Sequence, residues 1–385
     1  MLVSDTSLEE HKTLVFVINV DWYFKLHWLD RAAACVDAGY DVHLITNFTQ
    51  DDIRKSIESV GVTTHHVHIN RKTLNPFADL ELVRSTIKTL RRLKPNITHT
   101  ITAKPNIYCG ILKRFYSGAL FCSVTGLGRG YSGNASIAST TIRLILNRLY
   151  SLAFSQKNVF VFFENKHDRD LLVEKTRLTE DRTQVVHGAG VDINQFAYSP
   201  APDDGITVLF AARLLKSKGL HSLIRATRKL KEKDITIKLN VAGIIDEDAK
   251  DRISLSSIKK WHAQEDINWL GQSDNMPNLI ASSNIVCLPS TYGEGIPRIL
   301  IEAGACGRPV ISTNVPGCNE FVEHYETGLL VEPDNDEELM QALERLYQDS
   351  DLRLRLGKNA RAKVENAYSN ESVIHEILSS YQSHT

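Results

Sequence analysis

Two hydrophobic rhythms take turns along this chain. Residues 13–20 are apolar at nearly every position, as in a strand covered on both faces; a helical stretch ends near Gly39, and a second apolar run follows at 41–46. This opening predicts a βαβ unit. The same alternation predicts strands at 65–69, 97–101, 120–124 and 159–163, with helices over about 77–93, stopped by Pro95, and over 140–154. A second series starts at 206–211, with a helix over 219–232 and strands at 235–242, 267–270, 285–288 and 310–312, and the tail from 336 to about 381 is helical in pattern. Strands that alternate with helices build parallel, doubly wound sheets, so the expected class is α/β with two such domains. The stretch from Phe196 to Gly205, rich in Pro and small polar residues, is the expected linker.

Length agrees with that division, because 385 residues exceed one ordinary core. With 42% hydrophobic and 24% charged residues and no biased tract, disordered and fibrous classes are excluded. The first residues are polar and acidic, unlike a signal peptide, and no apolar run is long enough to span a bilayer, so a cytoplasmic location is expected. Six scattered cysteines without CxxC or a zinc-like His spacing point to reduced thiols and no metal.

Charge changes the picture more. The net value of −1 hides a stretch from Leu82 to Phe163 that contains no Asp or Glu and twelve Lys or Arg, leaving 33 basic against 46 acidic residues elsewhere. An ordinary solvated cationic face is one reading. An anionic partner for that half of the chain is the other, and total exclusion of carboxylates over such a length favours it.

Two constellations carry candidate chemistry. In Tyr292-Gly-Glu-Gly-Ile-Pro-Arg-Ile-Leu-Ile-Glu302, Pro297 suits the first turn of a helix and Gly307 its end, while Gly293 and Gly295 leave backbone amides open to a phosphate or hydroxyl. Glu294 and Glu302, about 12 Å apart if helical, could hold the two ends of an extended ligand. In Arg213-Leu-Leu-Lys-Ser-Lys218-Gly219, two cations lie past the carboxyl end of a strand, the usual ligand position in open α/β sheets, where they could neutralise a leaving diphosphate without a metal. The alternatives are a pair of surface glutamates and a basic loop.

Several near-motifs fail. Gly126-Leu-Gly-Arg-Gly130 would need glycine at Tyr131 to be a dinucleotide fingerprint. The Asp-x-Asp triplets beginning at Asp168, Asp246 and Asp334 each suit a helix start better than a metal site.

Arg213, Lys218-Gly219, Glu294-x7-Glu302, Arg308-Pro-Val-Ile-Ser-Thr-Asn-Val-Pro-Gly317 with Glu320, and Thr327-Gly-Leu-Leu-Val-Glu-Pro333 together resemble the donor half of family 4 retaining glycosyltransferases of the GT-B fold. Asp21-Trp-Tyr-Phe, the segment Asn70–Pro76, Lys104-Pro-Asn-Ile-Tyr108 and Val124-Thr-Gly-Leu-Gly128 resemble a bacterial subgroup that builds surface polysaccharides on polyprenyl diphosphate carriers. The resemblance implies two Rossmann-like domains facing a central cleft: 1–197 for the acceptor, 198–365 for the donor, and a helix from 366 to 385 packing back on the first. It implies that Arg213 and Lys218 bind the donor diphosphate, Glu294 the sugar hydroxyls and Glu302 the ribose, with Gly293, Gly295 and Ile296 completing the donor site. His99 takes the place of a histidine near the donor sugar, so Arg213, Lys218, Glu294 and His99 are the implied catalytic set; a second histidine of many relatives is Ile101 here, and His187 stands where relatives have Pro.

The reaction so implied is metal-independent, retaining transfer of a hexose or N-acetylhexosamine from a UDP-sugar to a lipid-linked saccharide, with no cofactor. Arg71, Lys72, Lys104 and Gly126 are the acceptor candidates, and the cationic half would meet the anionic inner face of the cytoplasmic membrane. A UDP-sugar epimerase on the same architecture is the alternative. A nucleic-acid partner is not expected, since the cations lack interleaved aromatic platforms.

Overall fold

The computed structural model describes residues 12–67, 79–127, 131, 137–247, 249, 251–293 and 295–384. These divide into two compact units. The first comprises 1–125, 133–186 and 374–385, and the second 126–132 and 187–373.

In the first unit, strands β1 (Thr13–Val17), β2 (Asp41–Thr46), β3 (Thr63–His66), β4 (Ile97–Ile101), β5 (Ala119–Val124), β6 (Val159–Phe163) and β7 (Thr183–Val185) form one parallel sheet in the order β3-β2-β1-β4-β5-β6-β7. Its central strands β4 and β5 are buried at every position, Thr98, His99 and Thr100 of β4 included, while β1 and β6 read as nearly continuous apolar runs rather than as alternation. Strand order steps one way from β1 to β3 and the other way from β4 to β7. Right-handed crossovers therefore set helices Leu29–Asp37 and Asp51–Glu58 on one face, and Leu80–Leu93, Ala103–Ile111 and Ile137–Phe154 on the other.

The second unit repeats the plan with β8 (Ile206–Ala211), β9 (Ile237–Ala242), β10 (Asn268–Gly271), β11 (Ile285–Leu288), β12 (Val310–Thr313) and β13 (Gly328–Val331), in the parallel order β10-β9-β8-β11-β12-β13. Two parallel, doubly wound sheets thus stand where the alternation predicts them. β7 and β13, three and four residues long at sheet edges, have no counterpart in the periodicity because so short a run makes no pattern.

The chain leaves the first unit at Val186, upstream of the Pro-rich stretch taken for the linker. That stretch instead straps the second unit. Phe196 is buried in its core, and the Arg308 guanidinium, 1% exposed, donates to the carbonyls of Ser199 (2.7 Å), Pro200 (3.0 Å) and Ala281 (2.7 Å) and to the Ser199 hydroxyl (2.8 Å). The helical tail is three helices, Asp336–Gln348, Ser350–Lys363 and Asn370–Ser383, broken where Asp349 caps the second. From Ile374 the last helix belongs to the first unit, where Tyr381 is wholly buried against Phe121. All six cysteines are buried and free.

Candidate functional site

In the second unit, the carboxyl ends of β8, β9 and β11 converge on one set of turns. After β8 the chain passes Arg213 and closes a 3-10 turn at Lys216–Lys218. Gly219 ends that turn at φ 81, and a Cβ there would lie 1.9 Å from the Pro289 carbonyl oxygen just past β11. Only glycine fits so close an approach in a left-handed conformation. Thr291 N–H donates to the Ser217 carbonyl at 2.9 Å, locking the two loops together. Lys218 is thereby held almost wholly buried, its ammonium 5.9 Å from the centre of the Tyr292 ring. Arg213 is half-exposed, and its Nη1 lies 3.0 Å from Oδ2 of Asp246 beyond β9. Asp246 is therefore the ion-pair partner of Arg213 in a turn, not a helix start. The other two triplets do start helices: Asn165 and Asp168 bond reciprocally at 2.7 and 3.1 Å, and Asp336 opens its helix behind Asn335.

Past β11 the loop reaches helix Arg298–Ala305, for which Pro297 is the N-cap. Gly307 (φ 72) ends the helix, and Arg308 N–H reaches back to the Ala303 carbonyl. Glu302 is buried, and Arg298 Nε donates to its carboxylate at 2.7 Å. Burial raises the Glu302 pKa above the ordinary range, and Arg298 pulls it partly back. Of the remaining donor candidates, Glu294 lies outside the described residues. Gly293 backs onto Pro316, 3.1 Å from where its Cβ would be, and the Ile296 side chain is buried in the core, so only its backbone could face a ligand.

The first unit treats its candidates differently. His99, on β4, is 0% exposed; its Nδ1 is hydrogen-bonded to the Tyr381 hydroxyl, its Nε2 lies 2.8 Å from Ser123 Oγ, and Phe16, Trp28 and Phe162 surround the ring. Burial, with help from Arg31, pushes its pKa well below 6.5, so it is neutral. With both nitrogens spent and no open edge, His99 holds the sheet to the last helix, and it has no contact to offer a sugar. Lys104 Nζ lies 2.9 and 3.1 Å from the oxygens of Asp79, itself 1% exposed, which also accepts from the Tyr108 hydroxyl. Lys104 is thus tied to a buried carboxylate rather than presented to a diphosphate. Arg71 and Lys72 lie outside the described residues. Gly126 and His187 belong to the second unit; Gly126, at φ 107, follows β5. His187 meets Tyr368 edge to face at 5.1 Å, a packing role.

Residues 192–363 match the family model "Glycosyl transferases group 1", and residues 13–157 match "Glycosyl transferase 4-like". The chain belongs to this family of glycosyltransferases. The N,N'-diacetylbacillosaminyl-diphospho-undecaprenol alpha-1,3-N-acetylgalactosaminyltransferase of Campylobacter jejuni is 26% identical over 81% of this chain and 83% of its own. The capsular polysaccharide biosynthesis glycosyltransferase CapM of Staphylococcus aureus is 26% identical over 68% of this chain and 62% of its own. Among solved structures, a glycosyltransferase from Rickettsia africae superposes with a TM-score of 0.79 at 20% identity, covering 97% of this chain and 99% of that one. Anabaena Alr3699/HepE in complex with UDP and glucose gives 0.76 at 18% identity, covering 97% and 100%. The fold of the transferase is GT-B.

Three residues of this glycosyltransferase were not singled out by sequence reasoning for the parts they play. Asp246 pairs with Arg213, Asp79 neutralises Lys104, and Arg308 straps the second unit. Asp79 alone left a signal: with Glu81 it is the last acidic residue before the carboxylate-free stretch.

Proposed function

We propose that this glycosyltransferase moves a hexose or N-acetylhexosamine, with retention, from a UDP-sugar to a lipid-linked saccharide in bacterial surface-polysaccharide synthesis. The observation that carries the reading is the placement of Arg213 and Lys218 on turns at the carboxyl ends of the second unit's strands, one half-exposed and one buried beside Tyr292. A diphosphate there would take Arg213 from Asp246 and meet Lys218 already fixed by the Gly219 turn. Bond cleavage sends the diphosphate toward these cations, an oxocarbenium-like centre develops, and the acceptor hydroxyl enters from the face the phosphate leaves. The departing phosphate oxygen takes its proton. Such catalysis rests on preorganised charge rather than on a protein nucleophile or a divalent ion. Glu302 suits the ribose, because a carboxylate already held by Arg298 can accept from hydroxyls without moving. The lipid carrier is supported by what the name of the Campylobacter relative says of its own acceptor, and the uridine donor by the UDP complex of the Anabaena neighbour.

The test is a panel of UDP-sugars with a polyprenyl diphosphate-linked saccharide, read by NMR of the product. One α-linked product from an α-donor is expected. A β-linked product would end the retaining mechanism, and a changed sugar nucleotide formed without acceptor would make the protein an epimerase.

A further inference from the structure

The helical layer of Leu80–Leu93, Ala103–Ile111 and Ile137–Phe154 turns a predominantly cationic outer surface toward solvent. Arg84, Lys88, Arg91, Arg114 and Arg148 are all exposed, and Glu81 is the sole acidic residue between positions 80 and 163. A solvated helix of a folded protein carries polar residues on its outer face. Helix Ile137–Phe154 does the reverse. Its inner side is held by Tyr150, Ala153 and Phe154, with Ala153 packed so close to Gly110 that a Cβ there would lie 2.6 Å away. Its outer side shows Leu144 (65% exposed), Ile145 (54%) and Leu152 (47%), aligned with Arg148 at helical spacing on one stripe. On the same layer Phe115 is exposed between two guanidinium groups, with Arg114 and Arg91 at 4.8 and 5.5 Å from its ring.

We infer that this layer docks the protein on an anionic lipid bilayer, with Leu144, Ile145 and Leu152 entering the acyl boundary and the surrounding cations meeting lipid phosphates. No helix among the described residues is long and apolar enough to cross a membrane, so the stripe lies in the interface rather than spanning it. Charge complementarity selects the occupant. A second copy would oppose cations to cations, and a nucleic acid would leave the apolar stripe unmatched. The inference rests on the lipid-linked acceptor of the proposed function for its purpose, and on this surface alone for its physical basis.

Flotation of the full chain with vesicles of equal phosphatidylglycerol and phosphatidylcholine, against vesicles of phosphatidylcholine alone, tests it. Binding to the anionic vesicles only, weakened by salt, is expected. Leu144→Ser/Ile145→Ser/Leu152→Ser should weaken binding at least about thirtyfold, since three buried side chains are lost. Arg84→Gln/Lys88→Gln should weaken it about fivefold per cation. To exclude misfolding as the cause, Leu152→Cys labelled with an environment-sensitive fluorophore should brighten on anionic vesicles, while Lys55→Cys on the opposite helical layer should not; the native cysteines are all buried. Equal flotation on both vesicles, unaltered flotation of the triple serine variant, or a wild-type dimer that this variant dissociates would each overturn the docking surface. Transfer to a short, water-soluble prenyl diphosphate acceptor separates the two readings. Lost flotation with intact transfer leaves the transferase standing, and intact flotation without transfer from any donor leaves only the docking surface.

Discussion

The two units share a plan and use charge in opposite ways. In the second, buried cations are held in place by backbone, Lys218 behind a turn that only Gly219 permits and Arg308 by carbonyls and one hydroxyl, while the half-exposed Arg213 is paired with Asp246. In the first, the candidates His99 and Lys104 are respectively neutral and paired with Asp79, and exposed cations crowd one helical layer. A cation fixed in place can read one small ligand, whereas cations spread over a face read only another surface. The difference teaches that two parallel α/β sheets of one plan can place charge differently, one fixing cations in turns at the strand ends and the other spreading them over a helical layer.

The largest expected effect breaks the second unit. Arg308→Met leaves several buried carbonyls without a donor and should cost about 3–5 kcal/mol in urea unfolding, while Arg148→Gln in the first unit should stay within about 0.5 kcal/mol. Next in size is Lys104→Met, which strands the Asp79 carboxylate and should cost about 3 kcal/mol. Adding Asp79→Leu should recover most of it, and a single variant as stable as wild type would return Lys104 to the acceptor candidates. Arg213→Ala should lower turnover at least about a hundredfold with folding unchanged, because the residue is half-exposed and is the cation proposed to meet the diphosphate.

The smallest effect is a pH dependence. Because His99 is held neutral in the fold and titrates near 6.5 when unfolded, its contribution to stability is complete above pH 6.5 and falls as the pH drops below it. Unfolding free energies from urea titrations should decline with a slope of up to about 1.4 kcal/mol per pH unit, and His99→Gln should flatten it. His65 and His221, lowered mainly by burial, add a shallower background that this variant leaves in place. An unchanged slope would mean that His99 is solvated and open to a ligand after all.

Much of this was legible in the chain itself. Both sheets followed from apolar patterning, because strands such as β1, β6, β8 and β11 are covered on both faces and write apolar runs, although β4 buries Thr98, His99 and Thr100 among them. The Gly307 helix end was legible because it needs a conformation that glycine adopts freely, whereas the left-handed Gly219 turn was not, since that glycine reads as the first residue of the following helix. Partnership was not legible. That Asp246 meets Arg213, that Asp79 meets Lys104, and that His99 is sealed by Tyr381 are contacts across 33, 25 and 282 positions, fixed by the fold and invisible to spacing. The Pro-rich stretch misled because its composition suits a linker, while a single buried guanidinium makes it a strap.

In the proposed mechanism fixed cations, rather than a divalent ion, receive the diphosphate. Calorimetric titration of UDP in EDTA, on the wild type and on Lys218→Met, tests this most directly. Metal-free binding that weakens at least about tenfold in the variant is the predicted result, since a hydrogen bond to a charged group is worth about 1.5–3 kcal/mol. Equal affinity in the two proteins, or binding that appears only after manganese is added, would contradict it.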